Sequence, residues 1–230
     1  MKTNMKKIIM TALAALLAIP SFAQYEEPVY TSSDGKFSFD IIGHFGAGYH
    51  FVKTDDFQPY GSSEFFMNIV KFGVYPVNHL GLELGADLQF NTFPSQETAF
   101  AQVDGLIKPV PFSTLGFGDS FDSKRGSFSV FGFGVPVLVK GIFDGFQVGV
   151  GGVASFNVSG DTYATLRKDK RELSYHESGA KVNPFSYGLM ATLSYDGFCV
   201  YFKYYPKSTR ILPEGSIDMS YSTLGIALGL

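Results

Sequence analysis

Leu80-Gly81-Leu82-Glu83-Leu84-Gly85-Ala86-Asp87-Leu88-Gln89-Phe90 is the stretch that decides the fold. Its even positions are all apolar. Its odd positions are Gly, Glu, Gly, Asp and Gln. Successive side chains of an extended strand point to opposite faces, so this segment has one greasy face and one polar, charged face.

The same alternation recurs on both sides of it. In 37–51 the odd positions Phe37, Phe39, Ile41, Phe45, Ala47, Tyr49 and Phe51 alternate with Ser38, Asp40, His44, Gly46, Gly48 and His50. In 146–158 the even positions are apolar, and in 185–195 the odd ones. Four further segments complete the set. In 64–75, Phe66, Val70, Phe72 and Val74 read outward, which turns Lys71 inward. In 127–139 the valines and phenylalanines at odd positions oppose Gly132, Gly134 and Pro136. In 198–206, Phe198, Val200, Phe202 and Tyr204 oppose Cys199, Tyr201, Lys203 and Tyr205. In 219–230, Leu224, Ile226, Leu228 and Leu230 oppose Thr223, Gly225, Ala227 and Gly229.

Eight strands follow, each close to the roughly 9–11 residues a tilted strand needs to cross a bilayer. Their connections alternate: short at 76–79, 141–145 and 196–197, long at about 52–63, 91–126, 159–182 and 207–218. Short turns on one side and long loops on the other are the mark of an up-and-down transmembrane β-barrel, with the short turns periplasmic. The polar faces are mainly Gly, Ser, Thr, Gln and Asn, which suit a narrow interior. Large aromatics suit an exterior against lipid. A soluble sandwich would instead carry long charged side chains on its polar face. The expectation is an all-β chain folded as an eight-stranded antiparallel barrel.

The rest of the composition agrees. Lys2, Lys6 and Lys7 precede a nearly unbroken apolar run at 8–19, then Pro20 and the small residues Ser21 and Ala23 around a cleavage point. This is the layout of a secretory signal peptide over 1–23. A periplasmic segment is expected over 24–36 and the barrel over 37–230. The chain holds 18 Lys and Arg against 21 Asp and Glu. Without the three lysines of the leader that becomes 15 against 21, a net charge of −6, which argues against nucleic-acid binding. Cys199 stands alone, so no internal disulfide is possible. No Cys/His spacing points to a metal, and no motif points to a cofactor.

From 37 to 230 the chain resembles the eight-stranded OmpA/OmpX-type barrels of Gram-negative outer membranes, and in particular the porin-like "outer membrane protein beta-barrel domain" family. The resemblance rests on three features: the short hairpin Gly73-Val74-Tyr75-Pro76-Val77-Asn78-His79-Leu80-Gly81-Leu82-Glu83-Leu84-Gly85, the glycines of 149–152, and the alternating strand 221–230. It implies residence in the cell outer membrane, contact with outer-membrane lipid and lipopolysaccharide, and delivery by the insertion machinery. Members usually end in an aromatic residue that this machinery reads, whereas this sequence ends in Leu230.

Inside such a barrel, Asp40, Glu83 and Asp87 face Lys71 and Lys203, with His44 able to join. Eight strands leave an interior only wide enough for side chains to fill, so these groups are read as a paired network plugging a polar lumen. An ion-conducting lumen is the alternative. In 167–171, Arg167, Lys168, Lys170 and Arg171 form a basic surface loop able to meet lipopolysaccharide phosphates. The glycine runs 43–48 and 149–152 lack the strand-to-helix setting of a phosphate loop. Four histidines (His44, His50, His79 and His176) are the candidates for acyl-transfer or hydrolytic chemistry on lipopolysaccharide, which needs a base near a nucleophile. His176-Glu177-Ser178 are sequence neighbours in a loop and converge on no point. The expected role is therefore a structural or surface-interaction barrel without enzymatic activity, engaging an extracellular ligand through loops 91–126 and 159–182. That 91–126 is long marks it as functional. Its portion 103–117 either extends the adjoining strands or folds over the mouth.

Overall fold

A computed structural model describes residues 30–31, 37–77, 79–115, 123–143, 146–168 and 171–229. The leader expected over 1–23, Lys170 and Leu230 lie outside the described residues, as do the side chains of Asp40, Lys168 and Arg171. In chain order the strands are β1 (Tyr30–Thr31), β2 (Phe37–Thr54), β3 (Ser63–Val77), β4 (Leu80–Ser95), β5 (Ala99–Val103), β6 (Leu106–Val110), β7 (Ser123–Phe143), β8 (Phe146–Lys168), β9 (Arg171–Ala180), β10 (Phe185–Tyr195), β11 (Phe198–Tyr205) and β12 (Met219–Gly229).

Eight of these close into one antiparallel ring: β2, β3, β4, β7, β8, β10, β11 and β12, with β12 pairing back onto β2 from Met219↔Thr54 to Gly229↔His44. Closure pairs both sides of every strand, as a medium without hydrogen-bonding partners demands. At the β10–β11 turn, Asp196 and Gly197 take φ of 47° and 75°. That is the two-residue hairpin geometry favoured by Asp-Gly.

The exterior is greasy and organised by height. Leu82, Leu84, Val137, Val139, Val148, Val150 and Leu193 are exposed on its middle belt. Phe37, Phe72, Phe143, Phe146, Tyr195 and Phe198 ring the short-turn end, and Tyr49, Phe51, Phe65, Phe90, Phe156, Tyr187 and Tyr204 ring the other. From Tyr195 to Tyr187, β10 runs about 27 Å along its own axis and, at a tilt of about 40°, about 20 Å in height, close to that of a lipid-facing band between aromatic girdles. The chain is a transmembrane β-barrel.

Three departures from simple alternation shape the molecule. First, the β3–β4 register shifts between Asn68 and Val70. This bulge reverses the parity of β3. Phe66, expected outward, is 5% exposed and points into the lumen, while Phe65 is 47% exposed. Second, the β7–β8 register shifts at Phe131/Gly132, leaving Val158 without a partner. Beyond it the two strands continue far above the girdle. Third, the expected loops 91–126 and 159–182 are largely strand: β4 runs to Ser95, β7 starts at Ser123, and β8 pairs with β9 from Gly160↔Ala180 to Lys168↔Arg171. His176-Glu177-Ser178 accordingly lies in β9, not in a loop.

Residues 96–115 fold over the mouth. β5 and β6 form a hairpin closed by Asp104 and Gly105, with φ of 55° and 78°. Phe100 and Ile107 are fully buried beneath it, against Phe128, Val130, Leu212 and Ile217. The hairpin crosses β7 at Gly126, where any Cβ would collide with the carbonyl oxygen of Thr98 and sit 2.7 Å from Cα of Ala99. Only glycine admits so close a backbone approach.

Candidate functional site: a sealed lumen beneath an open surface sheet

The interior divides by height. In the short-turn half, Lys140 pairs with Glu83 at 2.6 Å and donates to Gln147 at 3.4 Å. Lys71 lies 3.5 Å from Nδ1 of His44. Asn68 donates to Asp87 at 2.7 Å. These groups surround a cavity of about 60 Å³, also lined by Thr192, Ser194 and Cys199, with room for about two water molecules. Oδ1 of Asn68 and Oγ1 of Thr192 are buried beside it without a protein partner, and water in the cavity would satisfy them.

At mid-height, Lys203 is completely buried and donates to Glu64 at 2.6 Å, while the Tyr201 hydroxyl donates to the other carboxylate oxygen at 3.2 Å. Nζ of Lys203 also lies 4.7 Å from the centre of the Phe66 ring, a favourable place for a desolvated cation. An ion pair in so dry a setting persists only with such full coordination. Tyr201 fits because it fills the space that Gly48 and its cross-strand partner Gly225 leave empty: a Cβ on Gly48 would come within 2.5 Å of its hydroxyl.

The upper half combines aromatic rings with buried polar groups: Ser155 donates to Gln89 at 3.2 Å, and Asn157 donates to Ser186 at 3.2 Å. Rings stack through it as a column. Centroid separations are 4.7 Å for Tyr205–Tyr221, 4.9 Å for Tyr221–His50, 5.1 Å for His50–Phe93, 4.8 Å for Phe93–Phe128 and 5.1 Å for Phe128–Phe100. Nδ1 of His50 is engaged with Thr223 Oγ1 at 2.7 Å. The column ends under the β5–β6 hairpin. Lys181 ties the hairpin down through Asp104 O at 2.9 Å, and Lys108 does so through Gly215 O.

Of the expected lumen groups, His44, Lys71, Glu83 and Asp87 line the lower cavity, and Lys203 pairs above it with Glu64. The partners that complete them, Glu64 and Lys140, were not anticipated. Lys140 continues the inward parity of β7 one residue past the expected strand end. Glu64 shares its parity with Phe66 and was hidden by the same bulge.

Above the membrane, β7, β8 and β9 rise as a three-stranded sheet. The hairpin covers its inner face, where Leu166 and Ala164 are buried. Its outer face carries Tyr163 and His176, stacked at 4.4 Å with rings 5° apart, and Asp161 3.9 Å from Nε2 of His176. Arg167, expected to meet phosphate, is held by its cross-strand partner Glu172. On the inner side Tyr175 donates to Glu177 at 2.6 Å, which raises the Tyr175 phenol above its usual range. Among the described residues β9 pairs only with β8, and no strand pairs with its other edge. Among the described residues no group of His, Cys, Asp and Glu could hold a metal.

No protein-family model matches the chain, and no curated protein does. Among solved structures it is similar to the outer membrane protease OmpT from Escherichia coli, at 13% identity and a TM-score of 0.36 over 85% of this chain and 80% of that one. It is also similar to a Rhodopseudomonas blastica porin variant, at 8% identity and a TM-score of 0.20 over 84% of this chain and the whole of that one. The expectation of a chain without enzymatic activity is corrected on this point, because an outer membrane protease stands among the structures it is similar to.

Proposed function

We propose that the chain is an outer-membrane barrel of the OmpA/OmpX type that acts at the cell surface, through the regions 91–126 and 159–182, with its lumen closed. In this reading the leader directs export, the insertion machinery delivers the barrel, and lipopolysaccharide surrounds its outer half. One observation carries the proposal: β9 holds an open edge above the upper aromatic girdle. An open edge presents rows of unpaired N–H and C=O groups, and an extended polypeptide completes them. β9 has no proline and keeps its register from Ser178 to Arg171, so its backbone runs without a break along that edge. A second copy in the same membrane would present β9 in the same direction and could not pair with it antiparallel, so a different chain is the better partner.

Hydrogen exchange on the protein in lipid nanodiscs tests this. Alternate amides along 172–178 exchange fast in the free protein. They become protected when a synthetic peptide of the β8 sequence, residues 161–168, is added. No protection at saturating peptide would reject the edge as the contact surface. The column of rings supports a closed lumen, and planar-bilayer recordings are expected to show no discrete conductance steps. Regular steps from a folded, inserted sample would restore the channel reading.

A further inference from the structure

The outer wall carries a strip whose polarity changes with height in the order of a membrane lipid. On β2 the outward residues from the rim downward are Lys53, Phe51, Tyr49 and Ala47. Their cross-strand partners on β12 are Ser220, Ser222, Leu224 and Ile226. Lys53 is exposed and has no ion-pair partner among the described residues. Both serines sit on the outside of a lipid-facing strand, Ser222 between its cross-strand partners Phe51 and Tyr204 and Ser220 beside Lys53. Below them is a depression of about 440 Å³, floored by the backbones of Gly48 and Gly225 and walled by Tyr49, Val200 and Leu224. Val200 and Leu224 also line a second depression of about 240 Å³ that continues over β11 towards β8. The floor is bare because Ala47 is small, and because Gly48 and Gly225 are inward positions, occupied from the lumen side by Tyr201, that present only backbone to the outside.

We infer that this strip binds one phosphorylated, multiply acylated glycolipid of the outer leaflet. Lys53 holds a phosphate, a charge-assisted contact. The hydroxyls of Ser220 and Ser222 donate to ester or amide carbonyls at the head of the acyl chains. One chain lies in the depressions at mid-height. The occupant follows from the position: the depressions belong to the apolar belt, where only hydrocarbon is available, and the cation and hydroxyls lie directly above them at the girdle. The long loops put that end outside the cell, which makes the outer-leaflet glycolipid the source of the phosphate. The inference rests on the outer-membrane reading.

The test uses the full protein refolded in mild detergent and mixed in turn with bisphosphorylated lipid A and with phosphatidylethanolamine, read by native mass spectrometry. Heat-modifiable gel migration checks folding in each sample. The wild type is expected to retain one lipid A. Lys53→Glu should lower its retention about tenfold, and Ala47→Phe should expel the bound chain, both with the gel shift intact. Equal retention of phosphatidylethanolamine, or retention of lipid A unchanged by both substitutions, would overturn the inference. A folded wild type that retains neither lipid would overturn it too, leaving the barrel reading standing. Failure of the wild type to shift on boiling would instead strike at the barrel itself.

Discussion

Lys203 and Glu64 form the most deeply buried ion pair among the described residues, and each is the other's counter-charge. Glu64→Gln strands a cation in a dry interior and is expected to cost about 3–5 kcal/mol in urea unfolding from lipid vesicles. Adding Lys203→Met should recover most of that loss. A single change costing nothing would mean the pair is hydrated. Asp218 behaves differently because it lies at the surface. The Lys207 ammonium donates to its carboxyl at 2.6 Å, and with Arg210 nearby this holds it below the usual carboxylate range. A carboxyl depressed in the fold stabilises above its unfolded pKa and loses that contribution as pH falls through the folded value. Segment 207–218 should therefore loosen below about pH 4, seen as faster proteolysis, and Asp218→Asn should remove the dependence. At this scale the sequence makes Glu83, Asp87 and Lys203 legible, because their strands keep strict alternation. It hides Glu64, because a one-residue bulge at Asn68/Val70 reverses every side chain before it.

Strands and hairpins were legible where period two persisted and where turns were chemically marked. Asp196-Gly197 announced its hairpin. Asp104-Gly105 carries the same signal and would have found β5–β6, but its flanks, Ala99–Val103 and Leu106–Val110, are too apolar on both faces to alternate. They pack on the inner side chains of β7 and β8 and on Leu212 and Ile217, and periodicity reports only a single wet face. The length of β7 and β8 was hidden for a related reason. Past Val158 the inward side chains pack on the hairpin rather than on the lumen, so the strands stay paired where the membrane no longer requires it. Gly126→Val tests this arrangement. Its side chain should unseat the hairpin and open 97–111 to protease, while the barrel still shifts on heating. Unchanged protease resistance would mean that the crossing at Gly126 does not hold the cap.

The whole molecule is a cylinder with three zones along its axis: a charged lower lumen around a small cavity, an upper lumen of stacked rings and hydrogen-bonded polar groups, and a capped mouth beneath an exposed sheet. Its outer surface faces one medium over the belt. Val150→Arg, in mid-belt, is expected to cost about 2–4 kcal/mol, read by urea unfolding from lipid vesicles. A cost near zero would place that residue in water. The most direct test of the account is an accessibility scan of spin labels placed one at a time at residues 80–90, in a Cys199→Ser background in lipid vesicles. Labels at Leu82, Leu84, Ala86 and Leu88 should collide with dissolved oxygen and be shielded from a water-soluble relaxation agent, while those at Glu83, Gly85 and Asp87 should be shielded from both. Even positions that instead collide with the water-soluble agent, or a scan with no alternation, would contradict it.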